Sequence, residues 1–146
     1  MMEIKGNMMS VREDVRVLDA TLRDGGLVND FYFTDDFVYD LYKANLAAGV
    51  DYMEFGYRAD KKQFDVNKFG KWKFAEDEDI RAIVGDNDTD MKISIMADVG
   101  RCDYKHSIRD RADSPVDLIR VATYINTMPE AIAMIEDAAA KGYETT

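Results

Sequence analysis

The sequence predicts an α/β fold: a mainly parallel sheet with helices packed outside it. Short β-branched and aromatic runs alternate with stretches of helical periodicity in the order β-α-β-α-β-α-β-α. That pattern requires parallel strands joined by crossover helices. The strand starts fall about 26 to 40 residues apart, the spacing of repeated βα units. The 146 residues are 47% hydrophobic and 33% charged, a globular composition at one domain's length.

Residues 1–14 read as a flexible leader and 15–146 as the domain. Val15 to Leu22 is the first strand, and the pair Gly25-Gly26 is expected to open a loop after it. Thr34 before Asp35 and Asp36 is a helix start, because a hydroxyl caps free amides and carboxylates suit the positive end of the dipole. Phe37, Leu41 and Ala48, with Val38, Tyr42 and Leu46, form an apolar stripe that Gly49 ends. Tyr52 to Tyr57 is the second strand, with Met53, Phe55 and Tyr57 on one side and Glu54 and Gly56 on the other. Residues 58–75 read as a long loop, and Glu76 to Val84 as a short helix. Met91 to Ala97 is the third strand, closed by Asp98. Arg101 to Ser114 reads as charged loop or irregular helix. Leu118 to Tyr124 is the fourth strand. Thr127-Met128-Pro129-Glu130 has capping-box spacing with proline in the first turn. The helix it opens places Ile132, Ile135 and Ala139 on one face and ends at Gly142. The last six residues stop where a fifth strand is expected to begin.

The composition excludes several function classes. Nineteen basic against twenty-nine acidic residues give a net charge of −10, which repels a phosphate backbone, so no nucleic-acid partner is expected. No apolar run approaches the roughly 20 residues of a membrane span, and no secretory signal is read at the start. The single Cys102 cannot form an intrachain disulfide, and a cytoplasmic setting follows as the expectation. The single His106 excludes a histidine-rich metal site within these residues.

Parallel α/β folds bind ligands at the carboxyl ends of their strands. Arg23 and Asp24 stand there after the first strand, Glu54 and then Arg58 at the second, Asp98 at the third, and Thr123 and Tyr124 at the fourth. Three carboxylates and an arginine converging on one rim would make a hard-cation site with an anion-binding group beside it.

The segment Leu18-Asp19-Ala20-Thr21-Leu22-Arg23-Asp24-Gly25-Gly26, with Glu54 in Met53-Glu54-Phe55-Gly56, carries a resemblance. It resembles the first-strand signature of the metal-dependent aldolases and acyltransferases related to 3-hydroxy-3-methylglutaryl-CoA lyase. That superfamily includes 4-hydroxy-2-oxovalerate aldolase and isopropylmalate synthase. The resemblance implies a (β/α)8 TIM barrel, of which residues 15–146 would be the N-terminal half, about (βα)4, truncated before strand five. It implies that a carbon–carbon bond is made or broken next to the carbonyl of a pyruvate-like 2-oxo acid. Asp24 is then a ligand of a divalent metal, Mn2+ or Mg2+, whose other ligands lie mostly outside this chain. Arg23 stabilises the enolate oxygen, and Glu54 orients the arginine and the metal's water. Thr21, Asp98 and Thr123 are the candidate substrate contacts. The physics agrees, since a Lewis acid and a fixed guanidinium lower the energy of a developing oxyanion.

The sequence departs from that family at two points. The family's His-x-His pair on the sixth strand is not reached, so the isolated chain is expected to be inactive. Leu27 also stands where 4-hydroxy-2-oxovalerate aldolases carry a catalytic histidine.

Half a barrel would leave strand edges open, so a homo-oligomer is expected. Two other readings fit the same residues. One is a receiver-like signalling domain with Asp98 as phosphoacceptor and Thr123 as switch hydroxyl. The other is a non-catalytic half-barrel that serves assembly. Cys102 reads as a structural thiol and His106 as an exposed side chain. Lys61-Lys62 and Lys71-Trp72-Lys73 read as a solvated loop face.

Overall fold

A computed structural model describes residues 14–146; apart from Asp14, the expected leader lies outside the described residues. Five strands form one sheet in the order β1-β2-β3-β4-β5, every neighbouring pair parallel. They are β1 (Leu18–Asp19), β2 (Tyr52–Tyr57), β3 (Lys92–Asp98), β4 (Leu118–Ala122) and β5 (Glu144–Thr145). Strands that follow one another in both sequence and space, with no reversal, belong to a singly wound sheet. A receiver-type sheet has the order 2-1-3-4-5, so the strand order removes that alternative.

Two boundaries differ from expectation. The first strand is only two residues long, and Arg23, Asp24, Gly25 and Gly26 sit inside helix α1 (Thr21–Asn29) rather than in a loop. Gly26 is required by packing, because a Cβ there would lie 2.1 Å from the Phe31 ring. A fifth strand also begins within the chain. Glu144 and Thr145 pair with Leu118 and Ile119 of β4.

Helix α2 (Asp35–Ala48) starts and stops as its sequence dictates. The Thr34 hydroxyl accepts from the Phe37 amide, and Gly49 ends the helix in the left-handed conformation. Its buried residues are Val38, Tyr42 and Asn45, while Phe37 is 46% exposed. Helix α3 (Asp77–Val84) buries Ile80, Ile83 and Val84. A single turn, α4 (Tyr104–Ser107), follows β3.

Helix α5 (Met128–Ala140) presents a different face from the expected one. It buries Ala131, Met134 and Ala138 and leaves Ile132 50% exposed. Two alanines let the helix sit close to the sheet, and that contact sets its phase. The expected capping box at Thr127 is not formed either. The Thr127 hydroxyl turns back to Tyr124, accepting from its amide at 3.2 Å and donating to its carbonyl at 3.2 Å.

The strands alternate. Met53, Phe55, Ile93, Ile95, Ala97 and Ile119 join Val38, Tyr42, Ile80 and Met134 in one apolar core between sheet and helices. The other face carries polar side chains: Tyr52 and Glu54, Lys92 and Ser94, Arg120, and Glu144. A bulge in β2 breaks the alternation, so that Glu54 opposes Ser94 but Tyr57 opposes Met96. The extra residue brings Tyr57 to the Met96 side, not the Phe55 side that strict alternation predicts. Gly56 permits it, since a Cβ there would meet the Trp72 carbonyl oxygen at 1.9 Å.

Candidate active site

Glu54 is the centre of the polar face and is completely buried. An unpaired buried carboxylate is costly, and here two arginines from different elements meet it. Arg23 of α1 donates from Nε to Oε1 at 2.8 Å. Arg120 of β4 places Nε 2.7 Å from Oε2 and donates from Nη2 to Oε1 at 3.3 Å. The Ser94 hydroxyl of β3 donates to Oε2 at 3.3 Å. Arg23 also donates from Nη1 to Asp24.

Burial by itself would lower the pKa of Arg23. The hydrogen bonds to Glu54 and Tyr57 and the charges of Glu54 and Asp24 outweigh it and raise the pKa. Arg23 is therefore a permanent cation, held at the carboxyl end of β2.

Beside it opens a cleft of about 250 Å³ lined by Tyr57, Met96, Asp98, Arg101, Thr123 and Tyr124. Asp98 and Thr123, expected to share a site, do line it together. The Asp98 carboxyl is raised above its ordinary value by burial, against the pull of Arg101, Lys73 and Arg23. Its Oδ1 is buried without a hydrogen-bond partner. Thr21 is not brought to this cleft. It is exposed and donates its hydroxyl to Asp19 at 2.6 Å.

The expected convergence of three carboxylates on one rim is not what the packing produces. Glu54 is drawn inward by its two arginines, the Asp24 side chain is 62% exposed, and Asp98 lies in the cleft. Among the described residues no three His, Cys, Asp or Glu side chains group as a metal site. A hard divalent cation takes six or more oxygen ligands, some of them waters. Asp24 offers one side-chain ligand, so the described residues do not by themselves fit a bound metal. Arg58 is also absent from the rim, being 3% exposed and paired with the buried Asp77.

Two residues escaped the sequence reading. Arg120 is a lone charge inside an apolar strand, and that was its signal. Lys73, expected on a solvated loop face, is only 8% exposed. Its ammonium lies 4.4 to 5.6 Å from the rings of Phe31, Tyr57, Phe64 and Phe69. Burial lowers its pKa, with Asp98 opposing. Cys102 and His106 behave as expected. Cys102 is buried with its thiol pushed up to about 11 by burial, and His106 is exposed, its Nδ1 2.8 Å from Asp103.

No protein-family model matches the chain. Among solved structures it resembles "the N-terminal domain of a putative aldolase" from Bacteroides vulgatus, with a TM-score of 0.64 and 24% identity over 90% of this chain and 43% of that one. That likeness establishes the fold, the N-terminal half of a barrel-like aldolase domain. Among curated proteins it is similar to 4-hydroxy-2-oxovalerate aldolase 6 of Rhodococcus jostii (strain RHA1), 27% identical over 137 residues. The chain is a distant homologue of that aldolase's N-terminal part. The match covers 92% of this chain and 37% of the relative's length. The chain thus spans less than half the length of either of these two proteins. Among its described residues no helix is long and apolar enough to cross a membrane.

Proposed function

We propose that this chain carries the enolate-stabilising part of a carbon–carbon lyase acting on a pyruvate-like 2-oxo acid. The observation that supports it most is the fixing of Arg23 by a fully buried Glu54, through Nε at 2.8 Å, beside the exposed Asp24. An enolate is a developing oxyanion. A guanidinium already held in place stabilises it without reorganising during the reaction, which is where most electrostatic catalysis originates.

Arg23 is the catalytic cation in this reading. Its Nε is occupied by Glu54 and its Nη1 by Asp24, and Tyr57 also bonds the guanidinium, so in this reading the N–H groups left over meet the substrate oxygen. Glu54 fixes the arginine's orientation. Asp98 and Thr123 hold the substrate in the cleft, while Thr21 bonds Asp19 instead. Divalent-metal dependence belongs to the same reading, with Asp24 as the one ligand from this chain and the others from outside it. A Claisen-type acyl transfer would use the same enolate. Leu27 supplies no catalytic base, so removal of the proton from the substrate hydroxyl that becomes the aldehyde carbonyl falls to a residue elsewhere. A cytoplasmic homo-oligomer completes the proposal.

The test is enolisation of pyruvate, followed as deuterium exchange of its methyl protons with Mn2+ present, in the protein as its reading frame encodes it. Exchange is expected in the unsubstituted protein and its loss in Arg23→Ala, with the fold retained. An Arg23→Ala protein that exchanges at the unsubstituted rate would sink the proposal.

A further inference from the structure

We propose that Asp98 is the general base of the cleavage step, taking the proton from the hydroxyl of a 4-hydroxy-2-oxo acid; this rests on the lyase reading above. Breaking the bond between C3 and C4 of such an acid requires a base close to the cation that receives the enolate. The base takes the hydroxyl proton, and the C4–O bond becomes the aldehyde carbonyl. The C3–C4 electron pair passes into the enolate, whose oxygen Arg23 stabilises. Asp98 then releases its proton to water, and C3 takes one from water to give pyruvate. Protons and electrons balance with no oxidant or reductant.

The groups that could accept that proton differ in what already holds them. Both oxygens of Glu54 are engaged, by Arg23, Arg120 and Ser94. Asp24 accepts from Arg23. His106 is exposed and bonded to Asp103, and it lines no part of the cleft. Asp98 ends β3, lines the cleft and forms no ion pair among the described residues. Its Oδ1 is enclosed by the packing with no hydrogen-bond partner, and Oδ2, also unbonded, is the oxygen left open to the cleft. An acceptor to which nothing donates can receive a substrate hydroxyl.

The surroundings suit the role. The charged and titratable groups that face Asp98 are Tyr57 and Arg58 at the end of β2, Lys73 from the turn 71–73, Arg101 after β3, Tyr124 after β4, and Arg23 from α1. None donates a hydrogen bond to stabilise the ionised form, so the carboxylate binds a proton more strongly than an ordinary aspartate. Burial acts in that direction, and Arg101, Lys73 and Arg23 oppose it from beyond ion-pair distance. Tyr57 lines the cleft with Asp98 and also bonds the Arg23 guanidinium. The carbonyl oxygen and the hydroxyl of the substrate are two carbons apart, so one short molecule beside Tyr57 meets both groups.

The probe is the aldol of pyruvate with acetaldehyde, given with Mn2+ to the protein as its reading frame encodes it. Acetaldehyde release is followed beside the methyl exchange of pyruvate. Asp98→Asn keeps the shape and loses the base. It is expected to lower kcat for cleavage about 100- to 10,000-fold with KM little changed. Exchange involves no hydroxyl and is expected to fall far less. In the unsubstituted protein kcat is expected to drop as pH is lowered, with a midpoint above the ordinary aspartate value, because a protonated carboxyl cannot accept. The residual cleavage by Asp98→Asn is expected to lack that acid limb.

A higher KM at unchanged kcat makes Asp98 a substrate contact only; it overturns the inference and leaves the lyase reading standing. Equal losses of cleavage and exchange, or an acid limb that survives in Asp98→Asn, also overturn it. So does an unsubstituted protein that exchanges pyruvate but does not cleave the aldol. If the unsubstituted protein does neither, the lyase reading falls and this inference falls with it.

Discussion

Tyr52 on β2 donates a hydrogen bond to Glu144 on β5 across 2.7 Å, although β3 and β4 lie between them. In a flat sheet those strands would be about 14 Å apart, three spacings of roughly 4.8 Å. The contact, joined by Lys92, shows that the polar face is concave. Glu54 and Arg120 repeat the pattern one layer nearer the carboxyl end, reaching across β3. The curvature that brings Arg120 to Glu54 is thus a property of the whole sheet.

The pKa of Glu144 is lowered chiefly by its hydrogen bond with Lys92, with Tyr52 adding to it. A carboxyl that is more acidic in the folded chain contributes stability above its unfolded value, near 4.5. That contribution is lost as pH falls through the lower folded value. Glu144→Gln is expected to cost less than about 1 kcal/mol at pH 7, because the group is partly exposed and screened. It should also flatten the acid limb of stability. Urea denaturation at pH 7 and at pH 4 checks this; an equal loss for the variant and the parent between the two values would contradict it.

Glu54→Ala tests the buried cluster. Removing the carboxylate strands two arginines whose side chains are 15% and 30% exposed. Breaking a buried pair by deleting one partner costs about 3–5 kcal/mol. The variant should unfold at much lower urea, whereas Arg23→Ala, which leaves Glu54 with Arg120, should lose less. Equal midpoints for Glu54→Ala and the parent would show that the cluster contributes nothing to stability.

What the sequence made legible was local. Thr34 and Gly49 bound α2 because a cap and a left-handed turn are decided by one or two residues. The limits of β2 could be read for the same reason. The start of the chain misled, because Gly25-Gly26 looks like a loop to any local rule. The glycine is there for Phe31, which reaches it only after the chain has turned at Asp30 and Phe31, both at positive φ. Lys73 was invisible in the same way, since its four rings come from positions 31, 57, 64 and 69. Arg23, Asp24 and Glu54 could be named from the motif, but the partner that completes Glu54 is two strands away and has no fixed spacing from it.

Gly26→Ala gives a prediction of sign. In a free helix interior this change stabilises by about 1 kcal/mol. Here the new Cβ would lie 2.1 to 2.8 Å from three atoms of the Phe31 ring, which is 2% exposed and cannot swing into solvent without uncovering the core. Overpacking of this kind costs about 1–3 kcal/mol, so the expected net change is destabilising. A thermal midpoint above the parent's would refute it, while Gly26→Ala combined with Phe31→Leu should recover part of the loss.

Cys102 supplies the last prediction. Its thiol is 8% exposed and burial pushes its pKa up to about 11, while the Ser107 hydroxyl bond opposes that rise. At pH 8 it should react with a thiol reagent only through unfolding, at a rate that rises sharply as urea is added. The sign of the linkage follows from the same shift. The unfolded thiol ionises near 9 and the folded one near 11, so the unfolded state releases its proton first as pH rises. Stability contributed by the neutral thiol is complete below about 9 and declines towards about 11. Cys102→Ala should remove that alkaline decline while costing little at pH 7, since the thiol packs as a small apolar group. Rapid labelling of the folded chain at pH 8, or an alkaline limb unchanged in Cys102→Ala, would show that the thiol is not sealed by the packing around α4.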